Sequence, residues 1–163
     1  MPSTGVGINS ISFEVIVKPS INEKHIFEGE VVIGSGGNPQ AVGFHSRPGG
    51  VDPSTARIRL KSDGTPVFGL GPNSKGIYTR VIDVWDLSTN EWIPKDPYSS
   101  FFPDSWDRNT VIEEVLKAFS DIDLLPQTQD QEVTVPTLNG FEIEFKYDKQ
   151  KNLIRTVYPI YVP

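Results

Sequence analysis

Only one segment of this 163-residue chain repeats its apolar residues at the spacing of an amphipathic helix. Asp104 and Asp107 precede that segment, and either carboxylate is a suitable N-cap. The apolar residues of the repeat are Val111, Ile112, Val115, Leu116 and Phe119. Any fold for the chain must therefore combine one principal helix with extended segments.

The remaining residues predict short strands separated by turns rich in glycine and proline, each of which occurs 14 times. The turns at 34–40 and 87–90 have the strongest signals. The pattern predicts an α+β fold in which the helix precedes the last strands, with residues 1–20 as a lead-in and first strand and 21–163 as a single domain. The predicted strands are 11–17, 25–33, 41–46, 57–61, 76–85, 91–93, 132–136, 140–147 and 153–162.

The composition excludes several kinds of site. The chain has no cysteine, so disulfide scaffolds, thiolate metal sites and thiol nucleophiles are ruled out. It has two histidines without the spacing of a metal-binding motif, so we predict no dedicated metal site. No apolar run has the length of a membrane span, and the N-terminus lacks the pattern of a signal peptide.

The acidic excess of the chain is local. Residues 104–132 contain eight acidic and two basic residues, which accounts for the whole net charge of −6. The other residues sum to zero, and 45–61 carry four basic residues against one acid. This distribution argues against broad coating by RNA but allows a small phosphate-sized site. We expect the acidic segment 104–132 to be a protein-contact face.

Both histidines fall in the predicted hairpin of 25–33 and 41–46. With a turn centred near Gly36, His25 and His45 are diagonal neighbours on one face, about 7–8 Å apart at Cα. Two imidazoles at that distance could cleave RNA, one taking the proton of a ribose 2′-hydroxyl and the other protonating the leaving oxygen. A pair of histidines without a catalytic role is the alternative that the pattern leaves open.

Four motifs in this order resemble the EndoU family of uridylate-preferring endoribonucleases. HIFEGE (25–30) and VGFHSRP (42–48) resemble the paired-histidine signature of that family. NSKGIYTRVID (73–83) is similar to its catalytic-lysine segment, in which Ser or Thr follows Lys by four residues, and 156–159 resembles its T-x-Y-P segment. Residues 43–58 and 92–106 are most similar to the bacterial branch, which is often found as toxin tips.

The resemblance, which spans roughly residues 20–163, implies two antiparallel sheets with helical cover and an active-site groove between them. His25 and His45 would be the general acid and base; which one is the base stays open, with His45 favoured. Lys75 would stabilise charge on the scissile phosphate. The implied substrate-binding residues are Thr156, Tyr158 and Thr79, to which we add Arg57 as a phosphate contact or, equally, an ordinary surface charge.

The implied activity is cleavage of single-stranded RNA or tRNA at uridines, leaving a 2′,3′-cyclic phosphate, with no DNA or membrane partner. No cofactor would be required, although manganese stimulates some family members. The chain would be cytoplasmic, or delivered into a target cell as a toxin whose acidic segment 104–132 docks an immunity protein. The alternative is a non-catalytic module that binds RNA or protein through 104–132.

Overall fold

The structure, a computed structural model, describes residues 17–120 and 130–163. Apart from Val17, the predicted strand at 11–17 lies outside these ranges, as do residues 121–129 of the acidic segment. Within the described part of the chain, no helix is both long enough and apolar enough to cross a membrane.

The described residues form strands joined by short loops, with two α-helices and a 3-10 turn at Pro48–Gly50. The helices are α1 (Glu23–Phe27) and α2 (Arg108–Ser120). The strands are β1 (Ser20–Ile21), β2 (Glu30–Ile33), β3 (Pro39–Val42), β4 (Ala56–Ile58), β5 (Gly69–Leu70), β6 (Tyr78–Arg80), β7 (Ile82–Asp86), β8 (Glu91–Pro94), β9 (Ser99–Phe101), β10 (Asp130–Pro136), β11 (Glu142–Asp148) and β12 (Leu153–Pro159).

In the described ranges the strands pair into four small sheets. The largest has the order β1-β12-β11-β10, in which β1 is parallel to β12 and the other pairs are antiparallel. β2 pairs with β3, and two three-stranded sheets have the orders β4-β7-β8 and β5-β6-β9. The predicted α+β class with one principal helix is confirmed, although the strands divide among more sheets than the two that we expected.

Two hydrophobic clusters among the described residues divide the molecule into two lobes. In the first, α2 buries Val111 and Val115 against the four-stranded sheet, which contributes Phe145 and Ile154. The second cluster joins the small sheets around Phe44, and its other buried members are Ala41, Ala56, Ile58, Tyr78, Ile82, Val84, Ile93 and Phe101. The lobes contain different strands, so a groove can open between them.

The principal helix begins where the sequence predicts, but one of its two candidate caps has another role. The Asp107 carboxylate accepts a hydrogen bond from the Thr110 amide at 2.7 Å, which is the geometry of an N-cap. The Asp104 carboxylate instead accepts from the hydroxyl of Tyr78, in the neighbouring lobe. Asp104 therefore links the start of the helix to β6.

Three of the predicted strands are wrong in part. Residues 23–27 form α1, because the Asn22 side chain accepts from the His25 amide and Ile26 and Phe27 are both buried. β3 ends at Val42, since Gly43 and Phe44 have φ of 80° and 66°, which interrupt a strand. The predicted strand at 76–85 is split into β6 and β7, which belong to different sheets.

Candidate active site

A cleft of about 640 Å³ lies between the two lobes. Its lining includes residues of α1, β2 and β3 and of the segment 95–100, which runs from the end of β8 into β9. It also includes residues of β10, β11 and β12. Cleft residues therefore come from distant parts of the chain, and their positions depend on how the lobes meet.

His25 and His45 lie side by side in this cleft, with ring centroids 5.4 Å apart. They are 6% and 4% exposed. The segment after β3 runs against α1, where the Phe44 amide donates to the His25 carbonyl and the His45 amide to the Ile26 carbonyl, each at 2.7 Å. The two rings therefore meet where the loop after β3 contacts α1, and not across a hairpin.

Gly43 permits this close approach. A Cβ atom at Gly43 would lie 2.3 Å from the carbonyl oxygen of His25, which is closer than nonbonded atoms can pack. Its φ of +80° is also a conformation that favours glycine. The glycine in VGFHSRP thus has a steric function beside the histidine that follows it.

The tautomer of His45 follows from its hydrogen bond. Nδ1 of His45 lies 2.7 Å from the carbonyl oxygen of Ser100, so Nδ1 must carry the proton that is donated. Burial, the charge of Lys95 and the nearby His25 hold the pKa of His45 well below 6.5. His45 is therefore neutral at neutral pH, with its lone pair on Nε2.

A carboxylate accompanies His25. Nδ1 of His25 lies 3.5 Å from an oxygen of Glu30, the first residue of β2. Both carboxylate oxygens of Glu30 lie 3.4 Å from the side-chain nitrogen of Asn22. Burial and the charge of Lys95 lower the pKa of His25 to about 4, while Glu30 acts in the opposite direction. The two histidines thus differ in the group that faces Nδ1: a carbonyl for His45 and a carboxylate for His25.

Lys95 supplies a cation to the cleft, and the sequence motifs do not predict it. Its ammonium donates to the carbonyl of Gly43 at 3.0 Å and to the hydroxyl of Ser99 at 2.7 Å. Burial lowers the pKa of Lys95 to about 8, so the side chain is still mostly charged at pH 7. Lys95 and Ser99 are four residues apart, the same spacing as Lys75 and Thr79 and as Lys61 and Thr65. The spacing therefore occurs three times in the sequence and does not by itself identify the lysine of the cleft.

The cleft lining does not include Lys75, Thr79 or Arg57. Lys75 is exposed on a turn, with its side chain beside Gly140. Thr79 is buried, and its hydroxyl accepts from the Leu70 amide at 3.1 Å. Arg57 donates to Asp83 at 3.0 Å and stacks on the ring of Trp92. The structure separates these three side chains from the two histidines.

Thr156 and Tyr158 both line the cleft from β12. Two residues apart on a strand, they share one face. The Tyr158 ring lies 5.4 Å from the ring of His45, centroid to centroid. Burial and a hydrogen bond to the Glu144 carboxylate raise the pKa of the Tyr158 hydroxyl, so it stays protonated and donates to Glu144. The structure therefore brings Thr156 and Tyr158 together with the two histidines.

The matching family model is that of the bacterial EndoU nucleases, over residues 19–161. No curated protein and no solved structure gives a match to the chain. The matched residues include the two histidines, Lys95 and the cleft-facing residues of β12, so the family assignment and the cleft refer to the same part of the molecule. The chain belongs to the bacterial EndoU nuclease family.

Proposed function

We propose that the chain is an endoribonuclease that cleaves RNA after uridines by attack of the ribose 2′-hydroxyl, leaving a 2′,3′-cyclic phosphate. The observation that carries the proposal is a pair of buried imidazoles 5.4 Å apart, with the ammonium of Lys95 in the same cleft. Such a set can move two protons at one phosphodiester without a metal ion. The preference for uridine rests on the family resemblance.

His45 is the proposed base, because its hydrogen bond to Ser100 leaves Nε2 unprotonated. Nε2 takes the proton of the 2′-hydroxyl while O2′ forms a bond to phosphorus. His25 is the proposed acid, and it gives its proton to O5′ as the bond from phosphorus to O5′ breaks. The carboxylate of Glu30 favours the protonated form of His25, as does the negative phosphate once RNA binds.

Lys95 is the proposed cation that stabilises the extra negative charge of the pentacoordinate phosphorus. Since it is largely buried, its charge is weakly screened by water and acts strongly over a short distance. Thr156 is suited to donate to a phosphate oxygen, and the Tyr158 ring to stack on the ribose or base. Glu144 supports this role by holding the Tyr158 hydroxyl.

A substrate lacking one hydroxyl tests the reaction. We expect an oligoribonucleotide with a single uridine to be cleaved in the presence of EDTA, and the same oligonucleotide with 2′-deoxyuridine to stay intact, because the nucleophile is missing. Mass spectrometry of the products would show the cyclic phosphate. Cleavage of the deoxy substrate would disprove the proposal, and RNA binding without cleavage would favour a binding module.

The pairing of Glu30 with His25 predicts a change in pH dependence. The enzyme loses activity as its general acid deprotonates, which happens as pH rises through the pKa of that acid. Removing the carboxylate that raises this pKa therefore moves the loss of activity to lower pH. We expect Glu30→Gln to shift the alkaline limb of the kcat profile, which reports pKa values in the RNA complex, down by about one unit. Glu23→Gln is the matched control, because Glu23 lies on the helix that carries His25 but pairs with Arg108. An unmoved limb in Glu30→Gln would refute the pairing.

Delivery as a toxin and docking of an immunity protein on the acidic segment 104–132 stay predictions. Their support is the similarity of residues 43–58 and 92–106 to the toxin-type bacterial branch. Both are compatible with a ribonuclease, since cleavage of RNA in a target cell is itself toxic.

A further inference from the structure

The β4-β7-β8 sheet carries an aromatic and basic outer face. Ala56, Val84 and Ile93 lie opposite one another and are buried in the second hydrophobic cluster. Side chains alternate along a strand, so the neighbouring residues Trp85 and Trp92 point to the other side of the sheet. They are cross-strand partners with ring centroids 5.2 Å apart, and neither belongs to a hydrophobic cluster of the described residues.

Arg57 completes this face. Its guanidinium carbon lies 4.2 Å from the centre of the Trp92 ring, and its Nε donates to Asp83 at 3.0 Å. Arg59 binds the same carboxylate, whose side chain is 5% exposed, so two cations share one covered anion and leave a net positive charge. The Arg57 side chain is 47% exposed, and its one hydrogen bond within the described residues leaves both terminal amino groups for a ligand.

A single strand of RNA fits this chemistry best. Bases stack on indole rings, and a guanidinium beside them binds phosphate in a fork of two hydrogen bonds. The face also lies close to the cleft, because β8 ends at Pro94 and the next residue is Lys95. At about 3.3 Å per residue, Trp92 is roughly 10 Å from Lys95 along the chain. Trp92 and Lys95 lie on opposite sides of this strand, but β8 is the edge of its sheet, so a strand bound in the cleft can reach the outer face by passing around that edge.

We propose that Arg57, Trp85 and Trp92 form a second RNA-binding surface, which holds the part of a single-stranded RNA that extends beyond the cleft. The proposal deepens the ribonuclease function above and rests on it in one respect, namely that RNA is the ligand. This surface explains why a sheet places two tryptophans on its outer side, and it gives Arg57 a role outside the catalytic cleft.

Substrates of two lengths separate this surface from the cleft. Binding is measured with uncleavable RNAs that contain 2′-deoxyuridine, one a dinucleotide and one of about twelve nucleotides. We expect Trp92→Ala and Arg57→Gln to weaken binding of the longer RNA roughly tenfold while changing dinucleotide binding less than about twofold. Tryptophan fluorescence is expected to be quenched by the longer RNA only, and Trp106, which packs on Phe102, provides the unquenched background.

Arg108→Gln is the matched control, because Arg108 also lies over an aromatic ring, Phe27 at 4.3 Å, and pairs with an acid at 3.0 Å. We expect it to leave both affinities unchanged. A lowered melting temperature with unchanged affinity for the longer RNA would overturn the proposal, since the tryptophans would then only stabilise the β7-β8 hairpin. Equal losses for both RNAs would also overturn it.

The experiments distinguish failure of the ribonuclease function from failure of the second RNA-binding surface. If wild-type protein leaves uridine-containing RNA intact but Trp92→Ala still weakens binding of the longer RNA, the ribonuclease function is wrong and the surface stands. If RNA is cleaved and binding does not depend on Trp92 or Arg57, the surface is wrong and the ribonuclease stands. Should Trp92→Ala fail to fold, Arg57→Gln decides the question, since it keeps both indoles.

Discussion

We expect replacement of His45 by alanine to lower the rate of RNA cleavage about 10³-fold, the typical contribution of a general base. The ring is buried, its Nδ1 is committed to the carbonyl of Ser100, and its low pKa keeps Nε2 unprotonated. His25 does not take over this role, because its proton is needed by the leaving oxygen in the same reaction. Single-turnover cleavage of a uridine-containing RNA measures the loss.

The neighbouring serine provides a control for this variant. Ser46 is 1% exposed, and its hydroxyl has no hydrogen-bond partner among the described residues, so Ser46→Ala removes a buried polar atom without leaving one unpaired. We expect Ser46→Ala to retain activity within about twofold, with stability unchanged or raised. Equal losses in both variants would mean that the segment, and not the imidazole, is required.

The second large effect concerns the choice between two lysines. We expect Lys95→Met to lower kcat/KM by about 10² to 10³, the loss typical of a removed charge-stabilising donor. Lys75→Met should change it less than about twofold, because that side chain is exposed and does not line the cleft. Both lysines precede a Ser or Thr by four residues. Comparing the two variants therefore tests whether position in the cleft identifies the functional lysine where motif spacing does not.

Two further readouts distinguish catalysis from folding in Lys95→Met. The hydroxyl of Ser99 also donates to the Gly43 carbonyl, at 2.8 Å, so this acceptor stays satisfied and the fold should survive. The charge of Lys95 lowers the pKa of both histidines, so the pH–rate profile of the residual activity should move to higher pH. A profile that does not move, with normal activity, would exclude Lys95 from the site.

Local sequence patterns were sufficient to predict several elements of the fold. The apolar repeat at 111–119 predicts α2, because one face of a helix must contact the sheet whatever its neighbours are. The turn at 34–40 is centred at Gly36, as the pairing of Ile33 with Pro39 confirms. Thr156 and Tyr158 share a face because strand periodicity alone requires it.

The position of the histidines was predicted for the wrong reason. Residues 25–33 are predicted as one strand of a hairpin, but Ile26 and Phe27 are buried from a short helix that Asn22 caps. Such a helix is too short to show a period, so only contacts with the rest of the fold distinguish it from a strand. His25 meets His45 because Gly43 lets the chain after β3 run against α1.

The sequence by itself determined the fold class, the principal helix, the two histidines as candidate catalytic residues and the family. Those features depend on residue type and on periods of two to four residues, which a chain carries without its tertiary contacts. The tertiary structure decided which lysine joins the histidines, which nitrogen of His45 holds the proton, and that Arg57 belongs to an outer sheet face with two tryptophans. These depend on where separate loops and strands meet, and motif spacing that fits Lys75 and Lys95 equally cannot specify that.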